Sequence, residues 1–290
     1  MRTVESVRGI LSPSTVLDNA FRHPTFLPAL RQHGVETCGF FSRRKIGLRH
    51  FLGANTRDDL GTMLSFKSLR KKVCTDELAG TLLPKIREVL ADAENGTPRQ
   101  QFYLYYGEGS HVPFLGYDFD KHSVFTPNGK QKYNDERDVN NYDNTFIALD
   151  EFCAGFIDAL RDKNAVYILV GDHGETLGEG GVWGRRYRNK ETRHVLFFVW
   201  ASEKFKAENP ELWATLLRNR ERLGVISHDF VYNSVLHLFS IETPYYDEHA
   251  DLFSDAANPF PTEMPEAEGF GPLRFGENAE TKIQFHGGKF

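Results

Sequence analysis

Apolar positions along this chain fall into two alternating regimes, an i, i+4 spacing typical of amphipathic helices and short continuous runs that stop at glycine or polar residues. Pro24 to His33 carries Phe26, Leu27 and Leu30 on one face and meets Gly34, which predicts a helix with a glycine stop. Val35 to Phe41 follows as a strand. Asp76 to Ala93 places Leu78, Leu82, Ile86 and Leu90 at helical spacing, with Pro84 as a kink or break. Gln101 to Gly107 predicts a strand feeding a loop, and 117–140 is a polar, turn-rich surface excursion. Asn141 to Asp162 predicts a helix, and 166–171 a buried strand of the kind found at the centre of a parallel sheet. Val195 to Trp200 is another apolar strand, and Ser227 to Phe239 a helix capped by Ser227. Helix and strand alternate throughout, which predicts a layered α/β fold.

Composition narrows the class. The 290 residues suffice for one large core, and 40% hydrophobic with 26% charged content is ordinary for a globular chain. A net charge of −5 argues against a nucleic-acid partner. Cys38, Cys74 and Cys153 form no CxxC pair, so neither a disulfide framework nor a zinc ribbon is indicated, and core filling is expected. No run approaches the ~18 apolar residues of a membrane span, and Met1 to Arg8 has no signal-peptide core. The tail 256–290 is rich in Pro, Gly and Glu and is expected to be loosely packed.

Four places can carry chemistry. The strand 166–171 ends in Asp172 and His173, adjacent oxygen and nitrogen donors suited to zinc, at the carboxyl end of a strand where α/β sheets place ligands. A capped turn would use the same residues. Gly109, Ser110 and His111 present an imidazole directly after another strand, so the two histidines would face one crevice; a solvated loop histidine is the plain alternative. In the glycine-flanked segment 178–188, Arg185, Arg186 and Arg188 could clamp a phosphate or remain a solvated basic loop. No Gly-Lys-Ser/Thr follows, so this is not a P-loop. At the N-terminus, Thr3, Ser6 and Ser12 are hydroxyls that need a base or metal to become nucleophiles. His228 and Asp229 fit a helix cap with a packed imidazole better than a ligand pair.

These motifs, in this order, resemble the alkaline phosphatase/sulfatase superfamily, and within it the phosphoethanolamine transferases that decorate bacterial lipopolysaccharide. Gly171 to Glu179 is similar to that family's metal-binding signature, Gly109 to Pro113 to its substrate-phosphate histidine loop, and Asn141 to Thr145 and Ser227 to Asp229 to two further motifs. The resemblance implies an alkaline phosphatase-like α/β/α sandwich with a mainly parallel central sheet, the catalytic domain spanning 1–255. It also implies a Zn2+ cofactor held by Asp172, His173 and Thr3, with Thr3 as nucleophile and phosphoenzyme, and His111 and Arg185 on the substrate phosphate. Thr3, Ser6 and Val7 fit the family's T-x-x-S-V-P window, with Arg8 where proline is usual. Arg185 falls near the place of a further family histidine, with His194 farther on, so it would act as a fixed cation rather than a metal ligand.

The implied reaction transfers phosphoethanolamine from phosphatidylethanolamine to lipopolysaccharide (lipid A or core) or another glycan. The expected setting is an inner membrane with a periplasmic catalytic domain. In the family another zinc-binding glutamate, a core strand and the membrane helices come from upstream of the nucleophile. The chain is therefore expected to be an N-terminally truncated part of a longer enzyme. The alternatives are a sulfatase or phosphodiesterase-type hydrolase, or an inactive remnant. A sulfatase needs a C/S-x-P-x-R context, and Ser12, Pro13 and Ser14 lack its arginine.

Overall fold

The structure, a computed structural model, describes residues 3–13, 24–41, 62–65, 84, 87–88, 100–107, 109–129, 136–185, 189–259, 263–264 and 273–274. Helix α1 (Thr3–Leu11) is followed by α2 (Phe26–Gln32), whose end shows how local chemistry sets the path of the chain. Gly34 adopts φ +78°, a left-handed conformation that costs glycine little. Its N–H bonds to the Arg31 carbonyl, while the Val35 N–H bonds to that of Leu30, both at 3.0 Å. This is a Schellman ending, and Leu30 and Val35 are both buried beside it. The chain is thereby turned straight into β1 (Glu36–Phe41), which pairs in parallel with β2 (Thr62–Ser65) on one side and β3 (Gln101–Tyr106) on the other.

After β3 come the short α3 (Phe119–His122) and the long α4 (Glu136–Leu160), then β4 (Val166–Val170), α5 (Lys190–Arg193) and β5 (Phe197–Ala201). The chain continues through α6 (Glu203–Glu208), α7 (Pro210–Leu223) and α8 (Asp229–Leu238), and two short strands, β6 (Glu263–Met264) and β7 (Leu273–Arg274), pair in the tail. Alternate residues of β3 and β4 serve two cores. Phe102, Leu104, Tyr106, Ile168 and Val170 pack on a cluster from α1, α2 and α8 that includes Leu27, Leu30, Tyr232 and Leu236. Tyr103, Tyr105 and Tyr167 pack on the other face against Phe152 and Phe156 of α4. Helices thus cover both faces of these strands, the α/β/α layering expected. Leu27, Leu30 and Leu236 are wholly shielded, and each such side chain stabilises the fold by about 1.5–3 kcal/mol.

Several expectations are corrected. β4 bonds to β5 in an antiparallel register, and among the described residues it has no parallel neighbour. Its residues are half-buried, as are those of β3. No backbone pairing joins β3 to β4 among the described residues, although both feed the same two cores. β5 begins at Phe197 rather than Val195. α4 begins at Glu136, five residues before the expected start. Part of 117–140 is anchored rather than superficial: Tyr117 is buried and bonds to Asn141 at 2.7 Å, and Asn144 accepts from the backbone N–H groups of Val124 and Phe125. Cys38 and Cys153 are buried, as core filling requires. The expected helix 76–93, apart from 84 and 87–88, lies outside the described residues, as do Cys74, Arg186, Arg188 and most of the tail. Among the described residues no helix is long and apolar enough to cross a membrane.

Candidate active site at the strand ends

β4 delivers the chain to Gly171, which is held from two sides. Its N–H bonds to the Leu196 carbonyl at 2.9 Å, and its carbonyl accepts from His228 Nε2 at 2.8 Å. The turn that follows is docked by Gly174, whose N–H bonds to the Thr192 carbonyl of α5 at 3.0 Å. A Cβ at Gly174 would lie 2.0 Å from the Glu191 carbonyl oxygen and 2.6 Å from that of His194, so no larger residue fits there. Between these fixed points Asp172 Oδ1 accepts the His173 N–H at 3.1 Å. Asp172 Oδ2 stands 3.6 Å from His173 Nε2.

The imidazole orientation follows from its partners. A carbonyl can only accept, so the Nδ1 of His173, 2.9 Å from the Gly174 oxygen, carries the hydrogen. Its Nε2 faces the Nη1 of Arg185 at 2.9 Å and therefore accepts. His111 repeats the pattern, with Nδ1 donating to the Val112 carbonyl at 2.6 Å and Nε2 facing Arg185 Nη2 at 3.4 Å. The loop carrying Arg185 is folded back by glycines: Gly178 and Gly184 adopt φ +109° and +80°, and Leu177 bridges to Trp183. The Gly184 N–H bonds to the Thr176 carbonyl at 2.7 Å.

The loop of His111 leans on α4, where Thr145 Oγ1 gives its hydrogen to the Tyr142 carbonyl and accepts from Ser110 Oγ at 2.6 Å, and Tyr142 meets Phe114 edge-on at 5.2 Å. Glu175 closes the floor, its carboxylate 3.9 Å from His173 Nδ1. Burial holds its carboxyl above the usual range, opposed by His173 and Arg185. The Tyr142 phenol is pushed up to about 12 by burial and by the Glu175 charge.

The structure thus brings Asp172, His173, His111 and Arg185 together. Thr3 is the first residue of α1, and its side chain lies outside the described residues. Ser6 and Ser12 are buried, and Ser12 Oγ donates to the Arg8 carbonyl at 2.8 Å. His194 sits at the end of α5, where its carbonyl helps confine Gly174. The helix expected from Ser227 begins at Asp229, with His228 in the cap position and no side-chain cap bond. The His228 ring instead turns toward Gly171, and burial lowers its proton affinity. Sequence reasoning missed Glu175 and the link from His228 to Gly171; their signal was membership of the two matching motifs.

The resemblance implies a zinc ion at Asp172 and His173. Asp172 Oδ2 and His173 Nε2 converge as two of its donors would. A protein zinc site takes three or four, and among the described residues no group of three or more His, Cys, Asp or Glu could hold a metal ion. The fit is therefore partial.

Comparison with known proteins places this geometry. Residues 10–241 match the model of the sulfatase family. The phosphatidylethanolamine transferase Mcr-2 of Escherichia coli is 31% identical over 163 residues, 51% of this chain and 28% of that one, so the chain spans less than a third of that relative. The C-terminal periplasmic domain of phosphoethanolamine transferase EptC from Campylobacter jejuni superposes with a TM-score of 0.70 at 20% identity, covering 90% of this chain and 81% of that one. The corresponding domain of EcEptC from Escherichia coli, in complex with Zn, gives 0.72 at 16%, covering 94% and 78%. These likenesses establish the alkaline phosphatase-type fold, and the family match over most of the length establishes descent: the chain belongs to the sulfatase family.

Proposed function

We propose that this chain is the catalytic part, 1–255, of a phosphoethanolamine transferase, which moves the group from phosphatidylethanolamine to a hydroxyl of lipopolysaccharide or another glycan. The observation that carries the reading is the convergence of Arg185 with His111 and His173 over Asp172 at the strand ends. The relatives' names support the chemistry, and the periplasmic domains among the structural neighbours support a periplasmic setting on an inner membrane.

In this reading the Thr3 hydroxyl oxygen bonds to phosphorus as the bond from phosphorus to the diacylglycerol oxygen breaks, and the threonine proton leaves with that oxygen. The acceptor hydroxyl then attacks in line, and the Thr3 oxygen departs with the acceptor's proton. Arg185 has the planar fork that suits two phosphate oxygens. His111 now accepts at Nε2, so it must carry a proton there to hold a phosphate oxygen. Asp172 and His173, with Thr3, would be this chain's donors to zinc, which when bound lowers the pKa of an oxygen nucleophile.

The test is incubation with phosphatidylethanolamine vesicles followed by peptide mass spectrometry. A phosphoethanolamine adduct on the Thr3 peptide, lost in Thr3→Ala, is expected. No adduct on the parent chain, or an undiminished one in the variant, overturns the assignment.

A further inference from the structure

One buried acid in the site lacks a hydrogen-bond donor. The Glu175 side chain is only 10% exposed, and its carboxylate stands 3.9 Å from His173 Nδ1, whose hydrogen is already given to the Gly174 carbonyl. Its other oxygen faces Gly184, which brings no side chain to that side; even an added Cβ there would stay 3.7 Å away. Among the described residues neither oxygen accepts a hydrogen bond. A carboxylate taken out of water without a partner is costly, and a cation with N–H donors relieves the cost. The Tyr142 phenol lies within the field of this charge and also has no hydrogen bond among the described residues, its ring being held by Phe114 and Phe146. Across the same imidazole, Arg185 spends two of its five N–H donors on His173 and His111, and the rest remain for an anion. Opposite charges thus stand on opposite edges of one ring.

We infer that Glu175, with the Tyr142 phenol beside it, receives the ammonium of the phosphoethanolamine group, while Arg185 on the far edge of His173 holds its phosphate. This rests on the proposed function in taking that group as the one transferred. A short zwitterion with a hydrogen bond at each end bridges the two edges of the ring. The charge at Glu175 then selects among phosphate esters. An ammonium offers the buried carboxylate both N–H donors and a positive charge, an attraction stronger there than in water. A neutral head such as glycerol brings no charge, so the carboxylate repels the phosphate held beside it. A site built to bond one polar group rejects the analogue that lacks it more strongly than an apolar pocket rejects a misfit.

The experiment is calorimetric binding to the full chain in a chelating buffer, so that no metal takes part. The probes are O-phosphoethanolamine, its N-acetyl derivative, which has lost the charge, and glycerol 3-phosphate. The parent is expected to bind O-phosphoethanolamine about tenfold or more tightly than the other two. Glu175→Gln, of the same size, should erase that preference from both sides, weakening O-phosphoethanolamine and tightening glycerol 3-phosphate. Glu175→Asp keeps the charge at a shorter reach, so its preference is expected between the two. A merely structural role would weaken both esters alike, so a parallel loss in Glu175→Gln overturns the inference. A parent that binds all three probes within about twofold of one another overturns it as well. No adduct is read here: a preference without a Thr3 adduct sinks the transfer step alone, and a Thr3 adduct without a preference sinks the ammonium seat alone.

Discussion

The two ends of α8 each carry a histidine, and the fold treats them oppositely. At the N-terminal end His228 is buried, donates to a backbone carbonyl at the base of the site, and is held below its ordinary proton affinity by burial. At the C-terminal end His237 meets the wholly buried Asp251 at 2.5 Å, and the hydrogen bond to that carboxylate raises its proton affinity. The same Asp251 oxygen accepts from Tyr246 at 2.7 Å, while its other oxygen takes the Phe253 N–H at 2.9 Å. The helix dipole adds to both trends, disfavouring a cation at the first end and favouring one at the second. One end disfavours charge on its imidazole, which acts as a positioning group, and the other favours charge on an imidazole that acts as a clamp.

The largest effect is expected from breaking the clamp. Asp251→Ala removes the acceptor of the half-buried His237, of Tyr246 and of the buried Phe253 N–H, three hydrogen bonds at about 1 kcal/mol each, for a loss of about 3 kcal/mol. Urea denaturation should show that loss, while zinc and phosphate binding by the folded fraction stay as in the parent. If binding falls in parallel, the two ends are not independent. Next comes Gly174→Ala at the site end, where the new Cβ meets two carbonyl oxygens. Overpacking of this kind costs about 1–3 kcal/mol. Here the affinity for phosphoethanolamine should fall more steeply than stability, with calorimetry and denaturation on one preparation as the check.

His228→Leu removes the donor to Gly171 and should cost about 1 kcal/mol, with a further loss of zinc affinity. His228→Gln, which can still donate, should recover most of both. A variant pair that behaves alike would reduce His228 to packing.

The smallest effects are in pH, and their signs differ. His228 has a lowered folded pKa, so the unfolded chain takes the proton first as pH falls below about 6.5, and stability declines on the acid side. His237 has a raised folded pKa, so its contribution is complete below about 6.5 and is lost as pH rises through the folded value. Thermal denaturation across that window should lose its acid limb in His228→Gln and its alkaline limb in His237→Gln.

Much of the site was legible because its signals are local. Asp172 and His173 close an apolar run, His111 follows a strand and a glycine, and Arg185 follows within one glycine-punctuated loop. The Schellman ending of α2 was equally legible from Gly34. What escaped was long-range or lacked a period. An apolar run looks the same beside a parallel or an antiparallel neighbour, so the pairing of β4 with β5 left no trace in its residues. The first turn of α4, Glu136 to Asn140, carries one apolar residue, Val139, and no repeat marks it as helix. His228 reaches a carbonyl 57 positions away, and its own neighbours gave only a helix start.

That same hydrogen bond has a kinetic meaning. Loops of this length close late, because their chain entropy must be overcome before the contact that rewards them forms. The parallel pairing of β1 with β3, from Glu36 opposite Gln101 onward, spans a comparable separation, and the side chains of β3 pack on α8 itself. The sheet and the carbonyl at the base of Asp172 and His173 are therefore completed by the same class of long-range closure, and no local segment can prepare the site ahead of the fold.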